Sequence, residues 1–145
     1  MLQPMADSKI EHLSRVPLFS QLSRRELEFV ASRTDEVDAK AGHELTTQGK
    51  LGDSFYVLLD GQANVDIDGE ARRTLKTGDF FGEISMMDRG PATATVTTST
   101  PAKLLVMSHA QFRDAIKASD GLLVKVLSAM GERLRADLAA RHGHE

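Results

Sequence analysis

The chain has 145 residues, 18 basic and 21 acidic side chains, a net charge of −3 and 41% hydrophobic residues, which fits one globular domain with a single core and excludes a disordered chain. It contains no cysteine, which excludes disulfides, thiolate catalysis and cysteine zinc sites and points to the cytoplasm. No apolar run approaches the ~20 residues of a membrane helix, the N-terminus lacks a signal-peptide pattern, and the acidic balance argues against a nucleic-acid partner.

From the N-terminus, residues 7–33 read as helical. Val16-Pro17-Leu18-Phe19 closes a first segment. Ser23 then caps a second, with Glu26 three residues on, the spacing of a capping box. Leu22, Leu27, Phe29 and Val30 give that helix its apolar face, so residues 1–33 are expected to form a packed helical cap.

Between Thr34 and Ser108 the pattern changes to short strands. Ser54–Leu59 is rich in strand formers and ends at Asp60-Gly61; Ala63–Ile67 alternates and ends at Asp68-Gly69. Both Asp-Gly pairs predict hairpins. Ala71–Leu75 follows, Thr77-Gly78-Asp79 turns the chain, and Ala94–Thr98 and Lys103–Met107 are two further strands. Glycines at 42, 52, 61, 69 and 78 punctuate the region at near-even spacing, the mark of an antiparallel jelly roll.

Helical spacing returns at Ser108, which can cap a helix holding Phe112, Ala115 and Ile116 and stopping near Ser119-Asp120-Gly121. A last helix runs from about Leu122 to Arg141, with Leu123, Val126, Leu127, Met130, Leu134 and Leu138 as its apolar stripe. Leu123, Met130 and Leu134 are spaced loosely like a heptad seam. The helix is thus open to two readings, as cover for the barrel or as a part that closes over a ligand or pairs with a second copy. Arg133, Arg135 and Arg141 interleave with Glu132 and Asp137 and read as a solvated face.

The run from Phe81 to Val96 carries the chemistry. It reads as a strand end, a glycine turn, one or two helical turns, a second turn and a new strand. That layout leaves the amides of Glu83, Ile84 and Ser85 without partners at a helix start, which suits an anion. Gly82 lets a ligand approach the main chain, and Glu83 offers a carboxylate to a sugar hydroxyl. No cation stands at position 92, which is Ala92.

The stretches FGEIS, MMDRGP and ATATV resemble the phosphate-binding cassette of cyclic-nucleotide-binding domains at every landmark except the arginine, whose place Ala92 takes. The resemblance runs from about Leu13 to about Leu138. It implies a mainly β fold with α flanks, an antiparallel jelly-roll barrel (double-stranded β-helix) with an N-terminal helical cap and two C-terminal helices. The implied segments are the cap at 1–33, the jelly roll at 34–108 with its cassette at 81–96, and the helices at 109–141. It also implies that Gly82 and Glu83 hold the ribose 2′-hydroxyl, while main-chain groups at Ile84 and Ser85 and the Thr93 hydroxyl meet the cyclic phosphate. Ala92 cannot supply the family's pairing with the phosphate oxygens, a contact worth about 1.5–3 kcal/mol, or roughly ten- to over a hundredfold in affinity.

The resemblance therefore implies a non-catalytic sensor with weakened affinity, cyclic AMP first and cyclic GMP second, that switches its last helix and needs no cofactor. The alternative is a ligand-silent interaction module of the same fold. The expected partners are a cyclic nucleotide, a protein effector and a second copy joined through the last helix, with neither nucleic acid nor membrane. No DNA-binding or catalytic segment follows that helix, so a stand-alone module or a fragment of a larger protein is expected.

Substitutes for the missing arginine are few. Arg89 lies past the short helix, at the end away from the anion site, and is expected to face solvent beside Asp88. Of Arg72 and Arg73, strand alternation sends one away from the barrel. Met86 and Met87 are expected to pack beneath the cassette. His12, His43 and His109 are scattered, and His142-x-His144 reads as a solvated end, so no metal site is expected. No Ser/His/Asp constellation, P-loop or dinucleotide motif occurs, so no enzyme is expected.

Overall fold

A computed structural model describes residues 3–142, with side chains described for 9–140. Helix α1 (Gln3–Ser14) leads through a 3-10 turn (Pro17–Phe19) into α2 (Arg24–Ser32). Ser23 caps α2: its hydroxyl accepts the Glu26 amide at 3.1 Å, and the Glu26 carboxylate accepts the Ser23 amide at 2.9 Å, a closed capping box. Leu27, Val30 and Ala31 are buried, while Phe29 is half-buried beneath the Arg33 guanidinium.

Eight strands follow: β1 (Asp35–Ala39), β2 (Glu44–Thr46), β3 (Ser54–Asp60), β4 (Ala63–Ile67), β5 (Glu70–Leu75), β6 (Phe80–Phe81), β7 (Thr95–Thr98) and β8 (Ala102–Ser108). Helix α3 (Glu83–Asp88) sits between β6 and β7, and α4 (His109–Ala118) and α5 (Asp120–His142) end the fold. The strands make two antiparallel four-stranded sheets, ordered β1-β8-β3-β6 and β2-β7-β4-β5. This is the expected jelly roll, but as two facing sheets rather than one ladder closed into a barrel.

The two Asp-Gly turns behave differently. Asp68 (φ 55) and Gly69 (φ 78) both adopt left-handed backbone, as a tight two-residue hairpin requires, and β4 pairs with β5 across them. Asp60-Gly61 is not a hairpin, because β3 and β4 belong to different sheets. Gly61 instead turns the corner between sheets, with the Pro101 carbonyl 2.7 Å from where a Cβ would stand.

On β5 the register shifts: Val65 faces Arg73 but Asp66 faces Ala71. Arg72 is thus an extra residue, and such a bulge breaks the simple two-sided alternation. Both arginines are half-buried, with side chains 23% and 24% exposed.

Apolar burial falls into two clusters. One fills the space between the facing sheets with Leu58, Val65, Leu75, Phe81, Val96 and Leu104. The other joins the helices to the first sheet through Leu13, Phe19, Phe55, Met107, Phe112 and Leu122. Phe55 anchors it, its ring centroid 5.5 Å from Phe80 and 4.8 Å from Phe112; each such buried ring contributes roughly 1.5–3 kcal/mol.

Ser108 caps α4, accepting the Gln111 amide at 3.2 Å, and Ser119 accepts the Leu122 amide at 3.2 Å near the start of α5. The buried register of α5 differs from the expected stripe. Leu122 and Val126 are its fully buried residues, whereas Leu123 is half-buried and Leu127, Leu134 and Leu138 are exposed. Lys125 fastens this base of the helix to the N-terminal cap, donating to the Pro17 carbonyl at 2.7 Å and the Ser20 hydroxyl at 3.1 Å.

Candidate functional site

A cavity of about 170 Å³ opens between the second sheet, α3 and the outer half of α5. Its floor is one row across the sheet, since Thr46 pairs with Val96, Val96 with Val65, and Val65 with Arg73. Its side wall is the cassette run, and its roof comes from Met130, Arg133, Leu134 and Asp137 of α5.

Gly82 starts the cassette with φ 90, and a Cβ there would stand 2.5 Å from the Ser54 carbonyl. Backbone conformation and space both demand glycine. The six-residue helix that follows has no side-chain cap. Among the described residues, the Glu83, Ile84 and Ser85 amides have no protein acceptor, so the donors expected to be free are free and border the cavity.

All six sequence-predicted site residues line this cavity: Gly82, Glu83, Ile84, Ser85, Ala92 and Thr93. Glu83 is 4% exposed and Ser85 3%. Gly52 makes room for the serine, because a Cβ at position 52 would lie 2.3 Å from the Ser85 hydroxyl oxygen. The turn carrying Ala92 is tied to the loop beside it: the Ala92 amide donates to the Lys50 carbonyl at 2.8 Å, and the Gly49 amide donates to the Ala92 carbonyl at 2.9 Å.

Arg89 faces solvent at the far end of α3, as expected, in left-handed backbone with φ 58. The Asp88 carboxylate instead turns to the main chain and accepts the Gly90 amide at 2.8 Å. Only one of the paired methionines packs beneath the cassette. Met86 is buried and Met87 is 40% exposed.

The cavity also holds residues that sequence reasoning placed on a solvated face. Arg133 reaches across from α5 and donates to Glu83 Oε1 at 2.8 Å. Its second nitrogen donates to the Phe80 carbonyl, and its guanidinium lies 4.7 Å from the Phe80 ring centroid. One turn on, Asp137 Oδ1 accepts from Arg73 at 2.5 Å. The available signal was spacing: Met130, Arg133, Leu134 and Asp137 stand at i, i+3, i+4 and i+7, one face of a helix. Arg73 lines the cavity and Arg72 does not.

Other features lie apart. Tyr56 stacks on Phe81 at 4.8 Å and donates to the Leu45 carbonyl at 3.3 Å; burial, then the nearby Asp53 charge, raises its pKa. The described residues contain no cluster of three metal-binding side chains and no helix long and apolar enough to cross a membrane. The His142-x-His144 pair falls outside the described side chains.

The cyclic nucleotide-binding domain family matches residues 36–119. A cAMP-dependent protein kinase regulatory subunit from Emericella nidulans is 33% identical over 103 residues, covering 70% of this chain and 25% of the relative. A CRP-like cAMP-activated global transcriptional regulator from Mycobacterium tuberculosis is 27% identical over 130 residues, covering 86% of this chain and 58% of the relative. Among solved structures, cAMP-bound PfPKA-R superposes with a TM-score of 0.80 at 22% identity, covering 93% of this chain and 48% of that one. The chain thus spans about a quarter of the length of the kinase regulatory subunits it matches.

Proposed function

The chain belongs to the cyclic nucleotide-binding domain family, and on that premise we propose that it is a non-catalytic sensor domain for a cyclic nucleotide, cyclic AMP first and cyclic GMP second. One observation carries the reading. A buried Glu83 stands beside three unpartnered amides on the wall of a cavity whose roof is a separate helix. In this reading Gly82 and Glu83 take the ribose hydroxyl, and the Ile84 and Ser85 backbone with the Thr93 hydroxyl takes the phosphate. Ala92 contributes no charge, which leaves affinity weaker than a full cassette would give.

The response is a change in the seating of α5 over the cavity. Ligand can drive it only through a difference in affinity between helix positions, a few kcal/mol for a nearly complete shift. The name of the kinase regulatory subunits supports a protein effector as downstream partner, and the cysteine-free composition supports a cytoplasmic location. Pairing with a second copy through α5 is supported by the exposed Val124, Leu127, Leu134 and Leu138, which with Gly131 follow three–four spacing.

Titration calorimetry with cyclic AMP and cyclic GMP, on this chain and on Ala92→Arg, tests the reading. Weak binding by this chain and roughly ten- to hundredfold tighter binding by the variant are expected. If neither protein binds either nucleotide, the sensor reading fails and the fold serves as a ligand-silent interaction module.

A further inference from the structure

We infer that Asp137 is a built-in counter-anion that lowers the cavity's affinity for negatively charged ligands by occupying Arg73. The inference deepens the cyclic-nucleotide reading and rests on it. Among the described residues, four charged side chains line the cavity: Arg73, Arg133, Glu83 and Asp137. Two positive charges meet two negative ones, so the cavity has no net charge to attract a phosphodiester. Position 92 adds none.

The two arginines are not equally committed. Arg133 is held by the Glu83 carboxylate, the Phe80 carbonyl and the face of the Phe80 ring. The Glu83 side chain is only 5% exposed, so withdrawing Arg133 would strand a buried carboxylate, which is strongly unfavourable. Among the described residues, Arg73 is held by Asp137 alone, at 2.5 Å, in a pair whose side chains are 24% and 37% exposed. Its acid is far more accessible to water than Glu83, so breaking this pair strands no buried carboxylate and costs less. Arg73 is therefore the cation that an entering anion can recruit, and Asp137 is the group it must outcompete.

Among the described residues, Asp137 is also the only acid that the roof contributes to the cavity. The same contact fastens α5 to β5 and cancels the charge of Arg73. Anion binding and release of this contact are consequently linked, each favouring the other.

Calorimetry with cyclic AMP as probe tests this on the full chain, Asp137→Asn, Arg73→Gln and the double variant, with Ala92→Arg as control for the cassette. Melting curves verify that each protein is folded. Asp137→Asn is expected to bind about tenfold tighter and Arg73→Gln about tenfold weaker, the scale of one charge at a partly exposed site. The double variant should gain much less over Arg73→Gln than Asp137→Asn gains over the unaltered chain, because only the direct repulsion between Asp137 and the anion is then relieved. An equal, about tenfold tightening without Arg73 would show that Asp137 does not act by occupying Arg73 and would overturn the inference. Unchanged or weaker binding by Asp137→Asn also overturns it, as does binding by Ala92→Arg alone; both leave the cyclic-nucleotide reading standing. Binding by none of the proteins, Ala92→Arg included, removes the inference and that reading together.

Discussion

His109, the first residue of α4, shows how one side chain can carry a pH response without belonging to the cavity. Its Nδ1 lies 3.1 Å from an Arg113 nitrogen, and the half-buried ring stands beside the Met86 backbone. Burial first, then the Arg89 and Arg113 charges, lower its pKa. A lowered imidazole pKa means that the unfolded chain binds the proton more readily, so stability falls as pH drops through about 6.5, the ordinary histidine value. Melting temperatures at pH 7.5 and 5.5 should therefore fall further for this chain than for His109→Gln; equal falls would remove His109 from the response. At this scale the sequence was legible where a residue's task depends on its neighbours along the chain. Gly82 needs left-handed backbone and Glu83 needs a helix start, and both requirements are local. Arg133 and Arg73 were not legible in the same way, because their partners stand 50 and 64 residues away and only the folded sheet brings them together.

Among elements, the capping box of α2 and the β4–β5 hairpin follow from short-range chemistry, and both were readable. The Asp60-Gly61 pair carries the same two residues as Asp68-Gly69 and yet turns a corner, because β3 pairs with β8 and not with β4. Local preference selects a tight turn but not the sheet into which it delivers the chain. Helix α5 was legible only in part for a similar reason: its leucines recur at helical spacing, but tertiary contact decides which ones are covered. Val124 and Leu134 are each 60% exposed and Leu127 51%, and removing a side chain that open alters folding stability little. Leu127→Glu with Leu134→Glu should thus leave the fold intact while abolishing self-association in sedimentation velocity. A chain that sediments as a monomer before substitution would dismiss pairing through this seam.

At the scale of the whole molecule, two apolar clusters share one first sheet, and the cavity opens beside the cluster that lies between the sheets. Ligand that binds only the folded form stabilises everything that unfolds with it. Cyclic AMP at a hundredfold excess over its dissociation constant adds ~2.7 kcal/mol, which raises the melting temperature of a domain this size by roughly 5–10 °C. A scan with and without cyclic AMP measures this, and an unmoved transition would favour the silent module. The general architecture was legible because glycine spacing, strand formers and one anchored cassette agree with one another. The charge balance of the cavity was not, since it depends on how α5 lies across it. That helix is clamped at its foot by Lys125 to the Pro17 carbonyl, while its far end hangs from two ion pairs. In the sensor reading proposed above, the helix would act as a lever whose fulcrum rests on the N-terminal cap, so that a displacement of its outer arm would be felt at the cap.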